Sequence, residues 1–526
     1  DKILALYLNE IPYGGNIYGI DEASKAFFGK QPINLTIAES AYLAAIPNAP
    51  TYYSPYGKHR AQLEERKNLV LTKLLDLKFI TKKAYNKAFN EKVVFLPKQP
   101  MNIAAPHFVF FVKKYLENRY GVNAVEKGGL KVITTLDYNL QKEAEAITLT
   151  DAKINEKKYN GSNAAVVIID PKTGQILSMV GSRNYFDKKI DGNFNVATAL
   201  RQPGSSFKPI VYSLAFQKGY TEKTTLFDVP TEFNSSCDPL GHPLPGIKDA
   251  VCYMPTDFDT NYRGPMTLKD GLAQSINIIA VKLLYLVGIN NAIKMAHNLG
   301  ITSLNDPTRY GLTLVIGGGE TSLLDMTSVY SVFANNGIRN PYQAILSVQN
   351  SSGKFLQKYK SQSYKVLNSN ITRIISNILS DNVARTPTYG PYSKLVIPGK
   401  EVAVKTGTTN NDKDAWTIGY TPSIVVGVWA GNNNNEPMKK GGGAVAGPIW
   451  NKFIKEVLKI IPNEKFEKPN LEINSQITKP IIRGYWQGNN NFFIDKISGK
   501  LAGEFTPKET TEEKVITSVH TILYWI

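Results

Sequence analysis

The sequence predicts a multidomain chain: an α-helical amino-terminal region, a linker, a mixed α/β domain in which helices flank one sheet, and a small β-rich extension. Three observations predict it. A length of 526 residues corresponds to about three to four domains at roughly 150 residues each. Apolar residues recur at helical spacing through the first hundred residues, whereas β-branched runs dominate two later stretches, AAVVIID with QILSMVGS and EVAVKTG with SIVVGVWAG. The composition, 42% hydrophobic and 20% charged, excludes a mainly disordered, collagenous or integral membrane chain, and no run approaches the roughly 18 apolar residues of a membrane helix.

Residues 1–100 form the helical region. The stretch LTIAESAYLAAI from Leu35, RAQLEERKNLVLTKLLDL and TKKAYNKAFNE each carry apolar positions at helical spacing, and PYGGNIYG is a loop between helices. Residues 101–160 are assigned as the linker region, in which a short helix ends near Tyr120 and GGLKVITTLD supplies a strand. The mixed domain spans 161–460. It opens with a hairpin, two apolar strands joined by a turn at Pro171 to Gly174, continues through helices at SSFKPIVYSLAFQKG and MTLKDGLAQSINIIAVKLLYLVG, and returns to strands at EVAVKTG, AWTIGY and SIVVGVWAG. The hairpin and the last strands are expected in one sheet. Residues 461–526 form a Pro-, Asn- and Gly-rich tail with short strand candidates, and both ends of the chain read as cut.

The formal net charge is +17. Its lysines and arginines are scattered in singles and pairs, without a zinc-finger spacing or an RNA-binding aromatic motif, so a solvated basic surface is expected rather than nucleic-acid binding. Cys237 and Cys252 lie fifteen apart in a loop-like stretch. They either pair, in an oxidising compartment, or remain as two thiols.

His59, His107, His242, His297 and His520 form no ligand pair and stand near no nucleophile in a motif, so metal and serine–histidine chemistry are poorly supported. An acyl transferase without histidine needs another base, and lysine serves when burial or a neighbouring cation lowers its pKa. Ser205-Ser206-Phe207-Lys208 follows Pro203-Gly204 and opens a helix, which sets Ser205 and Lys208 one turn apart on one face. The helix start also leaves backbone N–H groups free to donate to an oxyanion. A second Ser-x-x-Lys, Ser351 to Lys354, falls in a polar turn and is a chance match. Two Ser-x-Asn candidates follow, Ser275-Ile276-Asn277 and Ser380-Asp381-Asn382. Lys405-Thr406-Gly407-Thr408 ends an apolar strand, where Gly407 would let a ligand backbone approach and exposed N–H groups could bind an extended peptide. The ordered set Ser-x-x-Lys, Ser-x-Asn, Lys-Thr-Gly occurs in class A β-lactamases and penicillin-binding proteins.

With their flanks, RQPGSSFKP, AQSINIIAVKL and VAVKTGTTNNDKDAWTIGYTP resemble the transpeptidase motifs of the class A penicillin-binding proteins, the bifunctional peptidoglycan synthases. GGLKVITTLD and AAVVIIDPKTGQILSMVGS are similar to that family's linker and first hairpin. ILALYLNEIPYGGNIYGIDEASKAFFGK, with Asn9, resembles the fourth motif of its lysozyme-like glycosyltransferase domain, and Arg66 with Val70 and Leu71 the fifth, with Leu74 where methionine is usual. The family's catalytic glutamate motif would lie upstream of Asp1, so this chain is expected not to polymerise glycan although the intact protein does.

The resemblance implies a β-lactamase-like serine transpeptidase fold and a mechanism. Ser205 attacks a D-Ala-D-Ala carbonyl, Lys208 takes its proton, and Ser275 with Asn277 relays it and orients the acyl amide. Lys405 supplies positive charge, Thr406 and Thr408 hold the substrate carboxylate, and the N–H groups of Ser205 and Thr408 form the oxyanion hole. Ser380 does not fit the family spacing, and Asp414 and Trp416 read as structural. The resemblance further implies stem peptides, lipid II and β-lactams as partners, a membrane reached through an anchor missing from this chain, and the extracytoplasmic face of the membrane as its location. No cofactor is expected for transpeptidation, and a divalent metal for glycosyl transfer in the intact protein only. The alternatives are a D,D-carboxypeptidase or β-lactamase-like hydrolase, and a non-catalytic β-lactam sensor.

Overall fold

Runs of Val, Ile and small residues without polar alternation suit a sheet covered on both faces. The computed structural model describes residues 2–15, 17–97, 103–247, 249–462, 464–470, 491–497, 502, 506–515 and 520–521. In it β1 (Asn163–Ile169), β2 (Ile176–Val180), β3 (Ala403–Thr408), β4 (Asp414–Thr421) and β5 (Ile424–Gly431) form one antiparallel sheet in the order β3-β4-β5-β1-β2. The hairpin and the last strands do join, through Val167 opposite Gly427 in the β1–β5 pair. Every residue of β1, β4 and β5 is buried, which is why these strands read as unbroken apolar runs.

The helices that matter for the site are α1 (Tyr138–Tyr159), α2 (Lys208–Gln217), α3 (Leu268–Ala273), α4 (Asn277–Val287), α5 (Leu323–Ala334), α6 (Ser369–Ser380), α7 (Asn382–Tyr389) and α8 (Gly442–Ile460). Strand alternation sorts them into two layers. Val166, Ile168, Val426 and Val428 face α1 and α8 through Ala144, Trp450 and Phe453. Val167, Ile169, Trp416 and Ile418 face the layer that contains α2 to α6.

The chain divides into two compact units, Asp1–Ala104 and Ala105–Ile526. In the first, the helices Ile20–Phe28, Ile37–Ala45 and Arg60–Asp76 bring together Phe27, Phe28, Tyr42, Leu43 and Leu63, and a Thr36–Glu39 capping box starts the helix Ile37–Ala45. The stretch read as a loop at 12–19 contains a small hairpin, Pro12–Gly14 with Ile17–Tyr18. Residues 105–160, assigned from the sequence to a linker, fold into the second unit. Phe108, Val112 and Leu116 enter its main core because the helix Pro106–Tyr120 has an apolar face to bury, and Lys131–Thr134 pairs with Ile345–Gln349.

Cys237 and Cys252 form a disulfide, Cα atoms 5.8 Å apart, and closing a loop of that length contributes about 3 kcal/mol on the chain-entropy model. Among the described residues no single helix is long and apolar enough to cross a membrane. In the tail Asn491–Asp495 pairs with Thr511–Val515, and the strand candidates within 471–490 lie outside the described residues.

Candidate active site

Three glycines bring three backbones together around Ser205. Gly204 has φ +56°, and a Cβ there would lie 2.5 Å from the Thr408 carbonyl oxygen and 2.6 Å from its nitrogen. On its other side a Cβ on Gly317 would stand 2.1 Å from the Gly204 nitrogen. A Cβ on Gly407 would stand 2.2 Å from the Pro203 carbonyl oxygen and 3.1 Å from the Ser206 nitrogen. Beside the ligand approach expected from the sequence, Gly407 thus admits the turn that carries Ser205 against β3. The turn is held elsewhere by Trp416 Nε1 donating to the Gln202 carbonyl at 2.8 Å and Tyr330 Oη to the Ser206 carbonyl at 2.8 Å. Trp416 is thus structural, as is Asp414, whose carboxylate accepts from Trp429 Nε1 at 2.9 Å.

Residues 204–207 form a 3₁₀ turn rather than the first turn of the α-helix, and the Lys208 N–H donates to the Ser205 carbonyl. In that geometry residues i and i+3 eclipse, so Ser205 and Lys208 stay on one face. Ser205 is half-buried at the surface of the fold, and Lys208 is fully buried.

Lys208 Nζ donates to the Ser275 carbonyl at 2.6 Å, to Asn277 Oδ1 at 2.8 Å and to the Ile276 carbonyl at 3.1 Å, with Ser275 Oγ at 3.5 Å. Lys405 Nζ reaches the same hydroxyl at 2.7 Å and also donates to the Thr406 carbonyl at 2.9 Å. Ser275 has φ +65°, an uncommon backbone for a residue with a side chain, which marks it as held in place by its surroundings. Burial lowers the Lys208 amine to about 7, against the pull of the nearby Asp257 carboxylate. Burial, the charge of Lys208 and that of Arg385 hold Lys405 well below the ordinary lysine range. The positive charge that the sequence reading gives Lys405 is therefore opposed by its surroundings. What the arrangement offers is a hydroxyl between two amines, a path along which a proton can pass.

The sequence brings Ser205, Lys208, Ser275, Asn277, Lys405, Thr406 and Thr408 to one region but misses three neighbours. Tyr389 Oη and Thr406 Oγ1 are hydrogen-bonded at 2.7 Å, Arg385 lies buried behind Lys405, and Asp257 accepts from the Asn277 N–H at 2.5 Å. The rejected Ser380-Asp381-Asn382 supplies a helix cap: Asp381 accepts from Ala384 N at 3.0 Å and pairs with Lys269 at 2.7 Å. That cap starts α7, the helix that delivers Tyr389. Ser351 to Lys354 is an exposed turn. Thr408 Oγ1 accepts from the Gly442 N–H at 2.9 Å, which leaves its proton free to donate elsewhere. Tyr389→Phe removes one neutral hydrogen bond from Thr406, a loss of about 0.5–1.5 kcal/mol, and is expected to slow penicillin acylation about two- to tenfold without unfolding, read from acylation rates and melting temperature.

In the first unit Asn9 lies exposed on the helix Lys2–Glu10, and the Arg66 guanidinium sits 5.3 Å over the Tyr53 ring. Among the described residues no hydrogen bond joins the two. Among the described residues no three His, Cys, Asp or Glu side chains converge.

An antiparallel sheet with helices on both faces, a serine on a turn against its edge strand and two buried lysines around a second serine define a serine acyl-transfer enzyme of the penicillin-recognising class. The model of the penicillin-binding protein transpeptidase domain matches residues 164–455, and the transglycosylase model matches residues 1–75. Penicillin-binding protein 1A of Aquifex aeolicus is 31% identical over 558 residues, covering 90% of this chain and 73% of that protein. Penicillin-binding protein 2D of Bacillus subtilis is 32% identical, covering 89% of this chain and 66% of the relative. The crystal structure of penicillin-binding protein 1A from Haemophilus influenzae shares the fold with TM-score 0.73 at 23% identity, over 99% of this chain and 91% of that one. The chain belongs to the class A penicillin-binding proteins, of the 1A type. It is a peptidoglycan synthase with a penicillin-binding transpeptidase domain and part of a transglycosylase domain.

Proposed function

We propose that Ser205 is the nucleophile of a D,D-transpeptidase that cross-links peptidoglycan stem peptides, and the residue that β-lactams acylate. The observation that carries this reading is the Ser275 hydroxyl set between Lys405 Nζ at 2.7 Å and Lys208 Nζ at 3.5 Å, beside the turn that presents Ser205. Lys208, once it has released a proton and with it one of its three N–H donations, takes the Ser205 proton while Oγ attacks the carbonyl of the penultimate D-alanine. The N–H groups of Ser205 and Thr408 receive the oxyanion. Ser275 passes a proton to the departing amine, the C–N bond breaks and D-alanine leaves. Asn277 orients the acyl amide, and Lys405 with the Thr406 and Thr408 hydroxyls holds the terminal carboxylate. The amine of a second stem then attacks acyl-Ser205 and releases the serine.

The same reading takes lipid II as substrate of the intact protein's glycan-polymerising half, an anchor in the membrane, and the extracytoplasmic face as location. The transglycosylase match over residues 1–75 supports the first, and a disulfide, stable in oxidising compartments, supports the last. Transpeptidation runs on these side chains without a cofactor.

The test is to incubate the chain with a fluorescent penicillin, map the adduct by peptide mass spectrometry beside Ser205→Ala, and supply donor and acceptor stem peptides. A lasting adduct on Ser205, absent in the variant, together with a cross-linked product is the expected result. Fast turnover of penicillin, or release of D-alanine without cross-linking, would make the enzyme a hydrolase. A stable adduct with neither product would make it a sensor.

A further inference from the structure

All of the polar groups that orient Asn277 are engaged, and two of their partners come from one segment. Its Oδ1 accepts from Lys208 Nζ at 2.8 Å, its Nδ2 donates to the Thr256 carbonyl at 2.9 Å, and its backbone N–H donates to Asp257 Oδ1 at 2.5 Å. A carbonyl can only accept, so Thr256 decides which end of the amide turns toward it and leaves the oxygen for the lysine. Asp257 is buried, and the same Oδ1 accepts from the Ile278 N–H at 3.4 Å, so one carboxylate holds the first turn of α4.

The segment itself is tied down just upstream, where the Cys237–Cys252 disulfide closes a covalent loop. Both feet of the loop are stitched to buried Glu232: its Oε1 accepts from Asn234 N at 2.7 Å and from Tyr253 N at 2.8 Å. Phe233 N donates to the Tyr253 carbonyl at 3.1 Å. The disulfide and these hydrogen bonds thus fix the chain at Tyr253, just before Thr256 and Asp257, which in turn hold Asn277.

We propose that Asp257 is a positioning residue for Asn277 and, through it, for Lys208, and that the Cys237–Cys252 disulfide holds the segment that carries it. The proposal rests on the reading of Lys208 as base. Lys208 has Lys405 as a charged neighbour, with Arg385 beyond it, and Asp257 is faced by Asp228, Arg263 and the hydroxyls of Tyr212 and Tyr262, with Lys282 next to Asp228. Arg263 Nη1 lies 3.3 Å from Asp228 and 3.9 Å from Asp257. Asp257→Asn keeps an oxygen for the Asn277 N–H but removes a negative charge that favours the protonated lysine, so the amine would lose its proton at lower pH.

The experiment measures second-order acylation by a fluorescent penicillin across pH, with melting temperatures, for the full chain, D257A, D257N and C237S/C252S. D257A is expected to acylate about ten- to a hundredfold more slowly, the cost of a misplaced catalytic group. D257N is expected to recover most of that rate, with the acid limb of its pH profile displaced to lower pH. C237S/C252S is expected to slow acylation several-fold with the acid limb unmoved. D257A reacting at the wild-type rate per folded molecule, or D257N superimposing on the wild-type pH profile, would overturn the role of Asp257. A wild-type rate in C237S/C252S would overturn that of the disulfide. Failure of the wild-type chain to acylate at Ser205 would instead sink the underlying reading of the site.

Discussion

Lys208→Met is expected to slow penicillin acylation of Ser205 by about 10²–10⁴-fold, the range a positioned general base contributes. Methionine fills most of the buried space and cannot take a proton. In the wild-type chain the acylation rate is expected to be level above pH about 7 and to fall as pH drops through about 7, the value to which burial lowers this amine. The sign follows from the role: the protonated amine cannot accept the serine proton, so each step below that pH removes reactive enzyme. Lys208→Met should lose that limb along with the rate. A variant that acylates normally, or keeps the limb, would move the base elsewhere, with Lys405 through Ser275 as the next group in line.

Gly407→Ala is expected to lower acylation by about 10²–10³-fold, the loss recorded when one oxyanion donor is displaced. The added Cβ has no room, 2.2 Å from the Pro203 carbonyl oxygen and 3.1 Å from Trp416 Cβ. Either β3 or the Ser205 turn must retreat, which separates the Thr408 N–H from that of Ser205. Overpacking of this kind costs about 1–3 kcal/mol, so the melting temperature should fall moderately while the folded protein reacts slowly. Comparing acylation rate with melting temperature separates the two effects. A normal rate at a reduced melting temperature would show that Thr408 N–H is not needed.

Much of the sheet and three motifs were legible because each is written locally. β1, β4 and β5 are buried along their whole length, so their apolar runs stand out, and Ser205 to Lys208 lies within a single turn. What was not legible depends on partners distant in sequence. Tyr389 meets Thr406 only because α7 folds back onto β3, and its signal is hidden behind a Ser-x-Asn triplet whose Asp381 caps that helix. Asp257 sits among Pro, Thr and Asp residues that read as loop, and nothing in that pattern announces a cap for a helix that starts twenty residues later. At Gly407 the close approach of the Ser205 turn was not legible, since a bare glycine does not say which backbone comes close. The pairing of Cys237 with Cys252 likewise needed the fold of the loop between them.

The β1–β5 pairing has a consequence for how the chain reaches this state. β1 is among the first elements of the sheet to leave the ribosome, and β5, its antiparallel partner, is the last. Until β5 arrives, the nascent chain carries the apolar run Ala164 to Ile169 with one hydrogen-bonding edge open, a template for pairing with other chains. Closing the sheet across most of the domain also makes for a high contact order and slow folding. The turn that carries Ser205 is pinned by β3 and β4, so reactivity toward penicillin should emerge only once these late strands have joined the sheet, as a single event rather than by degrees.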